Sequence, residues 1–309
     1  MSSTIRVGKI LVDDIKSQNG TPAITSDAAG QIDIPNLSAN INFEKREVWN
    51  TAGRPAAAEG VFGFNTDVGY IEIYRNGAWK NINDFNEGNY VKQNLLWFVD
   101  PSNPVSYPGT GSTLYDLSGN GYNATISGAV HRGYSFYYDG SNDTADVPVQ
   151  VIPPGPELSF EQWVLGQSNR SSSSFEAKDA SNVRTLNLHL TWSNSNVYFD
   201  SGGSDGYDRI NKGVRNYSEY RGWHCWMFTK NSQTGSMKIY LDGVLWHSGT
   251  GKNRNVGNTT KANIGSYTNG SSRHHQGNIG IMRSYNRELS AAEVLQNYNA
   301  SRYIYQGGL

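Results

Sequence analysis

The chain has 309 residues, with 26 Lys and Arg against 27 Asp and Glu and a formal net charge of −1. Such a balance gives no electrostatic footprint for nucleic acid or an anionic membrane surface, and no apolar stretch approaches the length of a membrane span. A single cysteine, Cys225, excludes an intrachain disulfide, while 34 Gly, 19 Tyr and 8 Trp suggest Gly-rich turns joining aromatic strands, the composition of a β-sandwich or barrel.

The N-terminal residues MSSTIRVGKI contain no apolar run that would serve as a secretory signal, which predicts synthesis in a cytoplasm. Residues 1–53 read as a strand-rich arm. Ile5, Val7 and Leu11 alternate with polar residues, and Asn19-Gly20 and Ala29-Gly30 mark turns. The arm has so few large apolar residues that it is expected to order only against other subunits, the alternative being a flexible tether. Residues 54–90 form a small β-meander and linker. Val61, Phe62 and Phe64 open a first strand, Tyr70–Tyr74 alternates as a second, and Asn76-Gly77 signals a hairpin leading to Trp79. With its order P…G…FNT…G…IEIY…G…W, this span resembles a β-module of tailed-bacteriophage fibres and other virion proteins.

From Leu95 the sequence becomes domain-like. An apolar strand ends at Asp100 and is followed by a Pro- and Gly-rich loop and Tyr115-Asp116-Leu117-Ser118-Gly119-Asn120-Gly121. Further on come Phe136 to Asp143, Phe160-Glu161-Gln162-Trp163-Val164, and a hairpin from Trp223 to Leu245 closed by Asp242-Gly243. Residues 277–284 read as a strand with Ile279, Ile281 and Arg283 on one face. Ser290 and Glu293 then form a capping box, Leu289 and Val294 a hydrophobic staple, and Val294, Leu295 and Tyr298 a helical apolar stripe. One short helix cannot bury that stripe alone and needs a sheet beneath it. These segments, in this order over about 91–302, resemble the laminin G-like domain. The resemblance implies an all-β fold: a concanavalin A-like jelly-roll sandwich over 91–309 with one short C-terminal helix, preceded by the meander and the extended arm.

Enzymes of this fold carry paired carboxylates on one strand, commonly E-x-D-x-x-E, and none occurs here; Glu157 and Glu161 are four residues apart. No enzymatic activity is therefore expected. Cys225 lies in the apolar run WHCWMF as a buried thiol, with His224 on the opposite strand face. His274-His275 reads as exposed. Asp116 and Asn120 on one turn, and Asp139, Asn142 and Asp143 on another, offer oxygen ligands for a shared calcium ion; the alternative is turn chemistry, each side chain capping its own backbone. Tyr198, Tyr207, Trp246 and His247 are candidates for stacking on sugars. The functional expectation is a tailed-phage virion structural protein of fibre, neck or capsid-decoration type. It would bind other virion proteins through residues 1–82, assemble as a homotrimer, and display the lectin-like domain for host-surface glycan binding. The alternative is a stand-alone carbohydrate-binding protein or glycoside hydrolase of the same fold.

Overall fold

The computed structural model describes residues 48–58, 60–68, 70–75, 78–81, 90–166, 170–214, 221–268 and 272–306, together with the backbone of short strands at 15–16, 22–26 and 32–33. The expected alternation at Ile5, Val7 and Leu11 and the turns at Asn19-Gly20, Ala29-Gly30 and Asn76-Gly77 lie outside the described residues. The chain divides into two compact units, residues 1–88 and 89–309.

In the first unit, β1 (Ile15–Lys16), β2 (Pro22–Ser26) and β3 (Ile32–Asp33) pair antiparallel. A separate sheet holds β4 (Val48–Trp49), β5 (Phe62–Asn65), β6 (Tyr70–Arg75) and β7 (Ala78–Asn81) in that order, with β4 parallel to β5. Periodicity predicts the last three strands; β4, at two residues, is too short to show any. The sheet closes on a buried carboxylate. Glu72 accepts from Arg54 Nε and Nη2, both at 2.7 Å, from Trp49 Nε1 at 2.6 Å and from Asn65 Nδ2 at 2.9 Å. The hydrogen-bonded Arg54 is the largest cause holding this carboxyl down to about 2, the neutral donors adding to it.

The second unit is a sandwich of two eight-stranded sheets. Its strands are β8 (Leu95–Val99), β9 (Thr113–Leu114), β10 (Ala124–Ser127), β11 (Val130–His131), β12 (Phe136–Asp139), β13 (Thr144–Asp146), β14 (Glu157–Gly166), β15 (Phe175–Lys178), β16 (Arg184–His189), β17 (Asn196–Gly203), β18 (Gly206–Gly213), β19 (His224–Asn231), β20 (Ser236–Leu241), β21 (Val244–Gly249), β22 (Lys261–Ile264) and β23 (Gln276–Tyr285). The front sheet runs β18-β17-β16-β15-β22-β13-β10-β9, and the back sheet β11-β12-β23-β14-β19-β20-β21, with β8 also paired to β23. Alternate residues of both sheets fill the space between them: Leu186, Leu188, Val197, Phe199 and Ile210 from the front, Phe160, Val164, Phe228 and Ile239 from the back. The jelly-roll sandwich expected from the sequence is the fold observed.

Helix α1 (Ala291–Tyr305) lies on the outer face of the back sheet, packed against β19 and β21. Ser290 caps it as expected, its Oγ accepting from Glu293 N while Glu293 Oε2 accepts from Ser290 N. Leu289 and Val294 are buried in one cluster, completing the staple. The expected stripe is only partly the buried one. Leu295 is exposed, and the inward face is Val294, Asn297, Ala300, Ser301 and Tyr305. Two of those five residues are polar because a buried ion pair lies beneath them: Arg283 Nη1 donates to Glu161 Oε1 at 2.6 Å, Asn297 Nδ2 donates to Glu161 Oε2, and Ser301 Oγ accepts from Arg283 Nη2. Burial is the largest single influence on Arg283 and works against its charge, but Glu161, Tyr285 and Asp100 together outweigh it and raise the guanidinium pKa. Tyr90 and Phe98 cover Arg283 with their ring faces.

The predicted faces of residues 277–284 are also corrected. Gln162 pairs with Met282, but Val164 pairs with Ile279, so two residues of β23 stand opposite Trp163. That bulge flips the alternation. Ile279 and Met282 point into the sandwich, while Ile281 and Arg283 point to the helix. Gly280 lies beneath Tyr305, and a Cβ there would stand 2.2 Å from the tyrosine Oη.

Candidate binding site

The outer face of the front sheet carries the other phase of the same alternation. The register aligns Asp146, Asn263, Glu176, Asn187, Asp200 and Arg209 in one row across six strands, β13 to β18. All but Asp146 and Arg209 are buried. Their polar groups satisfy one another: Asn263 Nδ2 donates to Asp146 Oδ1 at 2.6 Å and Asn187 Nδ2 to Glu176 Oε1 at 3.3 Å, while Glu176 Oε2 accepts from Thr268 N at 2.8 Å.

At the β18 end this row opens into a cleft of about 350 Å³, lined by Arg184, His189, Trp192, Tyr198, Tyr207, Arg209, Tyr267 and Arg273. Asp200 forms its floor. Fully buried, it accepts from Arg209 Nε at 2.6 Å, Arg209 Nη2 at 2.7 Å and Arg184 Nη1 at 2.5 Å. The guanidiniums are layered with rings. Arg209 lies 4.8 Å from the Tyr198 centroid and 5.5 Å from Tyr207, Arg184 5.2 Å from Tyr207, and Arg273 4.8 Å from Trp192 and 5.6 Å from Tyr267. His189 packs at a tilt of 56° against Trp192, its ring centroid 4.3 Å away, and its Nδ1 bonds Ser172 O at 2.7 Å. Since a carbonyl only accepts, Nδ1 carries the proton. Burial depresses this imidazole to about 4, so it is neutral at pH 7. Hydrogen bonding to Asp200 holds Arg209 well above the ordinary range; for Arg184 burial is the largest single influence and lowers it, but Asp200, Tyr267 and Tyr207 together outweigh burial and raise it.

Of the four expected sugar-stacking residues, the structure gathers two. Tyr198 and Tyr207 line the cleft. Trp246 and His247 lie on β21, in the other sheet, and do not join them. On β18, Ile210 is in the core, so Lys212 projects to the same inner side, opposite to Arg209. Lys212 Nζ lies 4.5 Å from the Trp246 centroid, and that ring packs on the main core and edge-on against Trp226. Trp246 therefore closes the sandwich edge.

The residues missed from sequence are Arg184, His189, Trp192, Arg209, Tyr267 and Arg273. The polar phase of the strands holding Leu186, Leu188 and Ile210 marks His189 and Arg209. No sequence signal brings Trp192, Tyr267 and Arg273 from their loops to the same place.

The expected shared calcium site is not assembled. Asp116 bonds Phe98 N, whose residue pairs with Arg283, whereas Asp139 pairs with Gln276. Seven residues of β23 separate these points, roughly 23 Å along a strand. The oxygens of Asp116 accept from Phe98 N, Ser118 N, Ser118 Oγ and Tyr122 N, and Asn120 donates to Leu96 O. Asp139 caps Ser141 N, and buried Asp143 caps Asp139 N; Asn142 is exposed on that turn. Among the described residues no cluster of three or more His, Cys, Asp or Glu is placed to hold a metal. His275, expected on the surface, is buried edge-on to Tyr138, and its ring nitrogens have no hydrogen-bond partner among the described residues. Cys225 is buried and burial pushes its thiol well up, while His224 Nδ1 bonds Asp242 Oδ2 at 2.7 Å.

Domain 4 of AbnA, an extracellular arabinanase of Geobacillus stearothermophilus solved in complex with arabinotriose, matches 66% of this chain over 98% of its own length, with 19% identity and a TM-score of 0.50. The ligand-binding domain of botulinum neurotoxin serotype D, solved in complex with N-acetylneuraminic acid, matches 68% at 15% identity and a TM-score of 0.53. The receptor-binding domain of botulinum neurotoxin type G matches 67% at 16% identity and a TM-score of 0.52. Of each toxin chain only 51% is covered. At such identities the likeness is one of fold. No curated protein matches the sequence. The family described as the concanavalin A-like lectin/glucanases superfamily matches residues 139–295, half of the chain and the part that builds both the sandwich core and the cleft. The chain belongs to the concanavalin A-like lectin/glucanase superfamily, in its laminin G-like form.

Proposed function

We propose that residues 89–309 form a non-catalytic carbohydrate-binding module whose site is the cleft on the front sheet. The observation that carries this reading is the convergence of Trp192, Tyr198, Tyr207 and Tyr267 with fixed arginine donors in one solvent-open hollow. A sugar presents C–H faces to rings and hydroxyls to rigid N–H donors, and small-molecule sites combine those two features. The fold relatives solved with arabinotriose and N-acetylneuraminic acid are in keeping with this reading. Support for binding without hydrolysis comes from the carboxylates of the cleft: Asp200 alone lies beneath it, with both oxygens held by Arg184 and Arg209, whereas glycoside hydrolysis uses two. Glu161, the carboxylate nearest to an expected catalytic strand position, is sealed under α1. Titration of the purified chain with a glycan panel tests the proposal. Tyr207→Ala should weaken the binding that the native chain shows, and binding untouched by that change would place the site elsewhere.

We further propose that this module is displayed by a virion structural protein of tailed-phage type, with residues 1–82 bound to other virion proteins in a trimer. The support is the phage-type meander in the sequence and the division into two units between residues 88 and 89. Sedimentation of the full chain and of residues 89–309 tests it. Trimeric full-length protein with a monomeric second unit is expected; monomers in both cases would contradict the anchoring role.

A further inference from the structure

The charge of the cleft goes beyond what a neutral sugar requires. The chain as a whole carries a net −1. Yet the cleft lining holds three guanidiniums, and His189 is neutral. One carboxylate, Asp200, answers Arg184 and Arg209 together, and its oxygens are taken by them. Arg273 has no carboxylate partner among the described residues; its described contacts are the faces of Trp192 and Tyr267, at 4.8 and 5.6 Å. It is exposed, and its backbone sits in the left-handed region at φ 61°. A non-glycine residue adopts that conformation where the surroundings fix it. Here Ser173 N donates to Arg273 O at 2.9 Å. Among the described residues the cleft thus has an excess of two positive charges, with one guanidinium set against two rings and without a counter-carboxylate.

We infer that the cleft takes a saccharide unit bearing a carboxylate, of the sialate or uronate class, with the carboxylate seated on Arg273 and the sugar ring against Tyr198 and Tyr207. The inference rests on the carbohydrate-binding reading above. A planar carboxylate matches the fork of a guanidinium and accepts two parallel hydrogen bonds from it. Trp192 and Tyr267 hold the Arg273 guanidinium by cation–π contact, which leaves its N–H donors available to a ligand. A volume of about 350 Å³ is at the small end for ligand sites, which suits one sugar unit at a chain terminus more than a long polymer segment.

Calorimetric titration with paired probes tests this: sialyllactose against lactose, and a glucuronate-terminated disaccharide against its glucose-terminated counterpart. At least one acidic probe should bind tenfold or more tightly than its neutral partner, and the two pairs report which class is preferred. Arg273→Ala, at an exposed position that leaves the sandwich intact, should remove that tenfold preference, bringing the acidic probe down to the affinity of its neutral partner measured on the same variant. Tyr207→Ala should weaken acidic and neutral probes alike. Equal affinity within both pairs, or a preference that survives Arg273→Ala, overturns the acidic specificity and leaves the carbohydrate reading standing. Failure of every acidic and neutral probe to bind overturns both.

Discussion

Arg209 grips Asp200 through two parallel hydrogen bonds, Nε to Oδ1 at 2.6 Å and Nη2 to Oδ2 at 2.7 Å. The pair joins neighbouring strands at directly opposed positions. It fixes the guanidinium edge-on to the sheet so that its face meets Tyr198 and Tyr207. Asp200→Asn keeps the shape but removes the charge and one acceptor. Charge-assisted bonds of this kind contribute about 2 kcal/mol, so stability should fall by about that amount and ligand affinity should fall with it. Equilibrium urea unfolding and titration on the same sample measure both; an unchanged affinity would show that the arginine positions do not matter.

The Glu161–Arg283 pair sits where no water reaches it, beneath α1. Removing one partner strands the other, at a cost of about 3–5 kcal/mol. Arg283→Met should therefore destabilise strongly, and adding Glu161→Gln should restore part of the loss. Denaturant midpoints for the two single variants and the double variant decide this. Additive losses would mean that the residues do not act as a pair.

Two buried histidines make stability depend on pH. His189 and His275 are both held down to about 4 by burial, against an ordinary value of 6.5. Between pH 4 and 6.5 the unfolded chain binds the protons that these rings refuse, so stability is full above 6.5 and declines as pH falls toward 4. Each shift corresponds to on the order of 3 kcal/mol. The melting temperature should drop steadily from pH 7 to pH 4.5, and His275→Phe should flatten that slope. A flat profile for the native chain would mean that the rings are hydrated in the folded state.

The capping box makes a smaller, local forecast. Ser290→Ala removes the acceptor for Glu293 N, and loss of such a cap costs about 1 kcal/mol. A melting temperature lowered by a few degrees is expected; no change would mean that the first turn of α1 frays in the native protein.

The fold was largely legible because its strands alternate visibly and its helix is announced by Ser290 and Glu293. What escaped was whatever depended on register. A bulge opposite Trp163 reverses the faces of Ile279 and Ile281, and no residue in the segment GNIGIMRSY announces it. The helix stripe was misassigned because Asn297 and Ser301 look like solvent-facing residues until Arg283 is placed beneath them. Two of the eight cleft residues were visible, the outward aromatics Tyr198 and Tyr207. Trp246 looked equivalent, but the phase of its neighbour Lys212 on β18 turns it inward. The row from Asp146 to Arg209 exists only once six strands distant in sequence are aligned.

The central claim is that the front-sheet cleft is where a saccharide binds, and one side chain reports on it directly. Of the chain's eight tryptophans, Trp192 lines the cleft. In a nitrogen-15 correlation spectrum of the full chain, adding a saturating acidic saccharide should move the Trp192 indole signal and leave those of core Trp97 and Trp163 in place. Saturable binding that shifts Trp246 instead, with Trp192 unmoved, would contradict the assignment of the site.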